Sequence, residues 1–314
     1  MAGYEKVIIV TKKTGLEELI ERFNTREQAR FYLEHMGVSF AEYEAAHETY
    51  HLALAAVSAA LPPGTRAQWI EKAFVPNFTF GDEDFVITVG PDGLVVNTAK
   101  YLHGQPLLAI NPDPARMDGV LIPFRAEEAA ARLRPALRGE FRCKHVAMAQ
   151  VSLNDGQTLN AVNDLFIGQR THQSARYRVA LAGQMENQSS SGIIVSTGAG
   201  STGWLRSVLT GASGIVEVFV PGEETHTVRD RYAFDWESDY LCYSVREPFV
   251  SRASAAEMVF GRIEVGDALE VTSQMPQNGV IFSDGIEDDY LEFNSGSIAS
   301  IGLADQRVTL IVRR

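Results

Sequence analysis

Cysteine is almost missing from this 314-residue chain: only Cys143 and Cys242 occur, far apart and in no CxxC spacing. That excludes a disulfide framework or a cysteine-based zinc site, and both residues read as reduced, buried thiols. Basic residues are also short. There are 28 Lys and Arg against 40 Asp and Glu, a formal net charge of −12. Nucleic-acid binding requires clustered Lys and Arg facing phosphates, so that class is excluded too. A nucleotide ligand is not, because backbone N–H groups and a bound cation hold phosphates on a protein of any net charge. No apolar run approaches the ~18 residues of a membrane helix. Met1 to Thr11 passes straight into an apolar strand-like run without a basic leader or small-residue cleavage site, so a cytoplasmic protein is expected. Repeats and low-complexity segments are absent. What is present is an ordinary globular composition, 45% apolar and 22% charged. The length exceeds the usual ~100–200 residues per domain and points to two domains.

The first part reads as alternating strands and helices. Lys6–Thr11, Phe85–Val89 and Leu107–Ile110 are short, strand-like apolar runs. Thr25–Met36 has helical spacing with Gly37 placed to end it, and Phe40–Leu61 is a longer helix stopped by Pro62-Pro63. Arg125–Arg134 reads as a helix with Pro135 near its end. This alternation predicts a Rossmann-like α/β domain with a mostly parallel sheet over residues 1–138. Beyond Gly139 the texture changes to short runs with turn signals at Asn154-Asp155-Gly156, Ala182-Gly183 and Pro221-Gly222. Ile215–Val220, Tyr240–Val245, Ala268–Val271 and Val280–Phe282 look like strands. A β-rich sandwich domain is therefore predicted over 139–314, with Val308–Val312 available to either domain.

Four short motifs carry candidate chemistry. Gly90-Pro91-Asp92-Gly93 follows the strand ending at Val89 and precedes a helix expected from Asn97 to Leu102. Pro-Asp-Gly is a common β-turn, but after a sheet strand it sits where α/β proteins bind ligands. There Asp92 can accept a proton from a substrate hydroxyl, and Gly93 lets the backbone approach phosphate. Ser190-Ser191-Gly192 through Trp204 contains a formal GxGxxG at Gly198, Gly200 and Gly203. With β-type sequence on both sides this is no Rossmann fingerprint; it reads as a polar-ligand loop or a flexible connection. His47-Glu48-Thr49-Tyr50-His51 satisfies HExxH on a helix, but on its polar side, with no HxxGxxH extension and only the distant Glu71 in view as a third ligand. It is set aside as a chance match, and no metal ligand is assigned. Ser283-Asp284-Gly285 with Glu287, Asp288 and Asp289 reads as a solvated acidic turn without EF-hand spacing. Asn163-Asp164, before Leu165-Phe166-Ile167, is a further side-chain pair able to read a base or a ribose.

The order of these motifs resembles the NAD kinase family, which carries a GGDG turn after a strand, an Asn-acid pair at the start of its β domain, and a GSTxx(aromatic) loop. The matching segments are Gly90–Gly93, Asn163-Asp164 and Gly200-Ser201-Thr202-Gly203-Trp204. The mitochondrial-type branch is similar also at Asn111-Pro112-Asp113-Pro114-Ala115-Arg116, Ser190-Ser191-Gly192, Arg246-Glu247-Pro248 and Glu292-Phe293-Asn294 through Ala299-Ser300. The resemblance implies a Rossmann-like domain followed by a β-sandwich domain, with ATP and Mg2+ or another divalent cation serving transfer to the 2′-hydroxyl of the adenosine ribose of NAD. It implies Asp92 as catalytic acid/base, Gly90 and Gly93 as its loop partners, and Asn163 and Asp164 as hydrogen-bonding partners of the dinucleotide. Thr202, Gly203, Trp204, Ser207 and Ser191 complete the implied binding set, and a homodimer or larger homo-oligomer is implied. Three positions depart from the common pattern. Pro91 replaces the second Gly of GGDG, Asp164 stands where many members have Glu, and Ser191 where many have Asp. A dinucleotide sensor without turnover, and a kinase of another hydroxyl compound such as a nucleoside or sugar, are the competing readings; an HExxH metalloprotease ranks last.

Overall fold

The computed structural model describes residues 3–220 and 232–313. The chain divides into two compact units, Met1–Lys144 with Thr309–Arg314, and His145–Val308. Among the described residues no helix is long and apolar enough to cross a membrane. The turn signal at Pro221-Gly222 lies outside the described residues.

The first unit is built on a parallel sheet. Strands β1 (Lys6–Thr11), β2 (Ala67–Glu71), β3 (Asp84–Val89) and β4 (Pro106–Asn111) lie in the order β2-β1-β3-β4. The sequences KVIIVT, DFVITV and PLLAIN are buried along almost their whole length, as strands covered by helices must be. Between β1 and β2 come α1 (Gly15–Phe23), α2 (Arg26–His35) and α3 (Phe40–Ala60). Thr14 opens α1 with a capping box: its hydroxyl accepts the Glu17 N–H, and the Glu17 carboxylate takes the Thr14 N–H. Such a cap is worth about 1 kcal/mol. The apolar stripe Tyr50, Ala53, Val57, Ala60 on α3 packs with Ile9, Phe85 and Ile87 of the sheet.

The rest of this unit comprises α4 (Asp92–Ala99), β5 (Phe124–Arg125) and α5 (Ala129–Leu137). Helix α4 starts at Asp92, ahead of the predicted Asn97, even though Val95, Val96 and Thr98 are weak helix formers. Burial of Leu94 through Ala99 overrides that propensity. Helix α5 begins later than the predicted Arg125, after a 3₁₀ turn at Ala126–Glu128, and runs through Pro135. Burial of Leu133 and Ala136 offsets the hydrogen bond that Pro135 cannot donate.

The second unit encloses its core between antiparallel sheets. Its strands are β6 (Arg142–Leu153), β7 (Thr158–Ala161), β8 (Asp164–Gln169), β9 (Ala175–Leu181), β10 (Gln184–Ser190) and β11 (Ile193–Ser196). After α6 (Trp204–Phe219) follow β12 (Tyr240–Val245), β13 (Phe260–Glu264), β14 (Leu269–Ser273), β15 (Gly279–Ser283), β16 (Ile286–Glu292) and β17 (Ile298–Val312). One sheet has the order β13-β12-β11-β8-β15-β16; β10-β9-β14-β17 form the opposing layer. Leu165, Ile167, Val195 and Ile281 of the first meet Tyr177, Val179, Val271 and Ile301 of the second in one core. Strand β17 serves both units: Ile298–Thr272 pairing lies in the sandwich, whereas Thr309 and Leu310 pair in parallel with Pro106 and Leu107 of β4.

The predicted strand Ile215–Val220 is instead the end of α6. Its β-branched residues suggest a strand when read alone, but they continue an apolar spacing of three and four that starts at Leu205. A helix already nucleated propagates through residues of modest propensity.

Candidate active site

In the first unit, β3 runs into Gly90 and Pro91, and α4 starts immediately at Asp92. Pro91 is the N-cap at φ −72°, a value its ring imposes anyway, so it opens the helix without strain. Tyr50 of α3 braces the turn from behind: its hydroxyl donates to the Val89 carbonyl at 3.0 Å and accepts the Lys12 N–H at 2.9 Å. Burial pushes this phenol up to about 12, so it remains a neutral donor.

The Asp92 carboxylate is gripped on both oxygens. Oδ2 accepts the Val120 N–H at 2.8 Å and Oδ1 the Leu121 N–H at 2.9 Å, which fixes a half-exposed carboxylate at the first position of a helix. The first N–H groups of α4 have no carbonyl partner within the helix and carry the positive end of its dipole. Gly93 beside them is exposed, and a Cβ there would meet no atom within 4 Å. Nothing among the described residues demands glycine at this point, so such a requirement would come from a ligand. Close by in sequence, Asn111 organises the loop: its Nδ2 donates to Met117 O at 2.9 Å, and its Oδ1 accepts the Asp113 N–H at 3.0 Å. Asp113 is buried and paired with Arg116 at 2.6 Å.

In the second unit, alternation along β8 sends Leu165 and Ile167 into the sandwich core and leaves Asp164 and Phe166 on the other face. Asp164 is 8% exposed, and no side-chain hydrogen bond reaches its carboxyl from the described residues. Burial, and then the neighbouring Asp284, push it up to about 7. Asp284 takes the local donors instead: Oδ2 accepts Val162 N–H at 3.0 Å, and Oδ1 accepts Asn163 N–H at 2.6 Å and Asp164 N–H at 3.3 Å. It holds φ +54° in the β15–β16 turn. The acidic segment read as a solvated turn thus contains the anchor of the Asn163-Asp164 corner.

The Ser/Thr/Gly loop folds onto the same corner. Thr197 accepts nothing from Asn163 but donates its N–H to the Asn163 carbonyl at 2.9 Å, and its hydroxyl donates to Val162 O at 2.5 Å. A Cβ on Gly200 would lie 2.0 Å from the Asn163 carbonyl oxygen, so only glycine permits this approach. The loop then tightens into a 3₁₀ turn at Gly200–Thr202 and enters α6 at Trp204. A helix follows the GxGxxG, contrary to the β-type reading. The preceding β11 lies between antiparallel β8 and β12, so the segment is still no Rossmann βαβ unit. Thr202, Gly203 and Ser207 are exposed at the start of α6, with Ser207 Oγ donating to Gly203 O at 3.3 Å. Ser191 is exposed at the far end of β11 and donates its N–H to the Arg246 carbonyl at 2.9 Å.

Beside this corner lies a cavity of about 250 Å³ lined by aromatic rings and arginines. Trp204 stacks on Phe166 with ring centroids 5.7 Å apart, and Phe282 lies 4.9 Å from Phe166. Arg246 sits over the Trp204 ring at 5.5 Å and Arg170 over Tyr290 at 4.1 Å. Flat hydrophobic faces next to guanidinium groups suit a planar ring that carries negative charge nearby.

No protein-family model matches the chain. A mitochondrial NAD kinase 2 from Xenopus tropicalis is 22% identical over 324 residues, which cover 77% of this chain and 74% of that protein. An NAD kinase from Methylococcus capsulatus is 33% identical over 129 residues, 38% of this chain and 43% of that one. Among solved structures, a yeast NADH kinase complexed with NADH matches with a TM-score of 0.59 at 14% identity, covering 98% of this chain and 84% of the other. An NAD kinase from Archaeoglobus fulgidus in complex with ATP gives 0.56 at 15%, covering 98% and 93%. In sequence and in fold the chain is similar to NAD kinases.

Several well-placed residues carry no signal in a single sequence. Asp284 lies 120 residues from the Asp164 N–H it accepts and Tyr50 lies 39 residues from the Val89 carbonyl it holds, and only the fold gathers them. A divalent cation accompanying a nucleoside triphosphate is held mainly by phosphate oxygens, waters and one or two carboxylates. Asp92 fits that task, because each of its oxygens accepts a single N–H and keeps a second lone pair. Asp113, neutralised by Arg116, does not.

Proposed function

We propose that this chain transfers the γ-phosphoryl group of ATP to the 2′-hydroxyl of the adenosine ribose of NAD, forming NADP and ADP. The carrying observation is the Asp92 carboxylate, fixed by two backbone N–H groups at a helix start beside an exposed glycine. A secondary hydroxyl is a weak nucleophile. Asp92 accepts its proton as the oxygen bonds to the γ-phosphorus and the bond to the bridging oxygen breaks, ADP leaving with the electron pair. Mg2+ or another divalent cation, when bound with ATP, neutralises charge on the transferring group, and Asp92 is the residue able to contact it.

In this reading residues 1–138 supply the catalytic turn and 139–314 the surface that reads the dinucleotide. Asn163 and Asp164 hydrogen-bond the nucleotide, and Thr202, Gly203, Trp204, Ser207 and Ser191 complete its contacts. Gly90 lets the turn close: a Cβ there would lie 2.7 Å from Leu94 Cδ2. A cytoplasmic setting and a homodimer or larger assembly belong to the same reading.

The test is a turnover assay with Mg–ATP against NAD, NADH, nucleosides and sugars. NADP formation from NAD, slowed about 10²–10⁴-fold in Asp92→Asn with NAD affinity retained, is the expected result. Absence of NADP, or an Asp92→Asn variant as fast as the parent, would overturn it.

A further inference from the structure

The HExxH segment set aside above acquires a third ligand in the folded chain. We propose that Glu17, His47 and His51 form a binding site for a zinc-class divalent ion that clips α1 to α3. One ligand atom from each of the three lies within 4.8 Å of the others, and no other such trio of His, Cys, Asp or Glu occurs among the described residues. Ligands of a tetrahedral ion with bonds of about 2.0–2.1 Å are roughly 3.4 Å apart. His47 and His51 are one helical turn apart on α3, with ring centroids 4.3 Å apart, and Glu17 comes from the first turn of α1.

The surroundings already orient the ligands. Glu17 Oε1 meets His51 Nε2 at 3.0 Å, a place where a metal ion substitutes for a proton. Its other oxygen, Oε2, accepts the Thr14 N–H at 2.7 Å, so the capping box aims the carboxylate. The Thr14 hydroxyl lies 2.9 Å from His47 Nδ1. With the Nδ1 proton directed at this oxygen, Nε2 keeps its lone pair for a metal, the outer hydrogen bond that ligating histidines commonly have. His51 is 45% and Glu17 34% exposed on their side chains, which gives an ion access from solvent and leaves a fourth position for water. Glu48, the general base that a metalloprotease motif requires, is exposed and in the field of Arg26. The site is therefore a clip with no hydrolytic role, and it does not depend on the kinase reading.

The experiment strips the full chain with a chelator and titrates it with zinc chloride, reading heat, bound metal and melting temperature, with cobalt substitution as an optical probe. Binding of about one ion per chain, a raised melting temperature and the visible spectrum of tetrahedral cobalt are expected. Glu17→Gln and His51→Ala should each weaken zinc binding by roughly 10-fold or more, and Glu48→Gln should bind as the parent does. Stripped protein that takes up no zinc, or Glu17→Gln and His51→Ala variants that bind zinc like the parent, would overturn the proposal. If either variant fails to fold, the cobalt spectrum of the parent decides, because the weak bands of an octahedral hydrated ion would also overturn it.

Discussion

Two aspartates, one in each unit, receive opposite treatment from the backbone. Asp92 sits half-exposed with both oxygens accepting N–H groups from Val120 and Leu121. Asp164 is almost wholly buried, and the three nearby N–H groups of Val162, Asn163 and Asp164 itself go to Asp284. One carboxylate is positioned and left accessible. The other is deprived of donors and pushed up to about 7. Residue type alone therefore says little about role; the allocation of backbone donors decides which acid is held ready for chemistry and which awaits a partner that brings its own donors.

The comparison breaks first at Asp92. Asp92→Asn should lower kcat about 10²–10⁴-fold, the usual contribution of a positioned base, while NAD affinity by calorimetry stays within a few-fold. The variant should also melt lower, because an amide nitrogen now faces Val120 or Leu121, a loss of about 1–3 kcal/mol. Two glycines sharpen the contrast next. Gly200→Ala drives a Cβ into the Asn163 backbone and should cost about 1–3 kcal/mol or more in denaturant melts. Gly93→Ala meets open space, so stability should hold or rise by up to about 1 kcal/mol while turnover falls. A Gly93→Ala enzyme with normal turnover would show that no ligand approaches there.

Asp284→Asn should destabilise the chain by about 1–3 kcal/mol and, by removing a neighbouring charge, lower the pKa of Asp164. The smallest effect is a pH dependence. A folded-state value near 7 lies above the unfolded ~3.9, so the stability contributed by protonated Asp164 is complete below the unfolded value and lost as pH rises toward 7. Relative to Asp164→Asn, the parent should therefore lose on the order of 1–4 kcal/mol between about pH 4 and 7. Parallel melts of the two proteins check this, and identical pH profiles would remove Asp164 as the titrating group.

Much of the fold was readable because periodicity and burial agree. KVIIVT and the strand around Phe85–Val89 are continuous apolar runs, and α3 shows its stripe plainly. The reading failed at α4, where burial of β-branched residues outweighs local preference, and at the exposed end of α6, where a helix already nucleated propagates through them. Among site residues, Asp92 and Asn163-Asp164 stand in recognisable motifs. Asp284 does not, since its partners are more than a hundred residues away and an acid beside Gly285 looks like any surface turn. The third ligand of the histidine pair was hidden in the same way, because the fold, and not spacing, brings Glu17 to His51.

Strand β17 has a consequence for biosynthesis. The outer edge of β4 at Pro106 and Leu107 is filled by Thr309 and Leu310, a segment some two hundred residues further along the chain. The first unit, made early, must therefore wait with that edge unpaired while some two hundred residues are translated. A chain cut short anywhere in the second unit leaves the Asp92 turn on an unfinished sheet, open to proteases and to edge-to-edge association. Synthesis as far as β17 thus becomes a precondition for a finished first sheet, a proofreading of synthesis by topology alone.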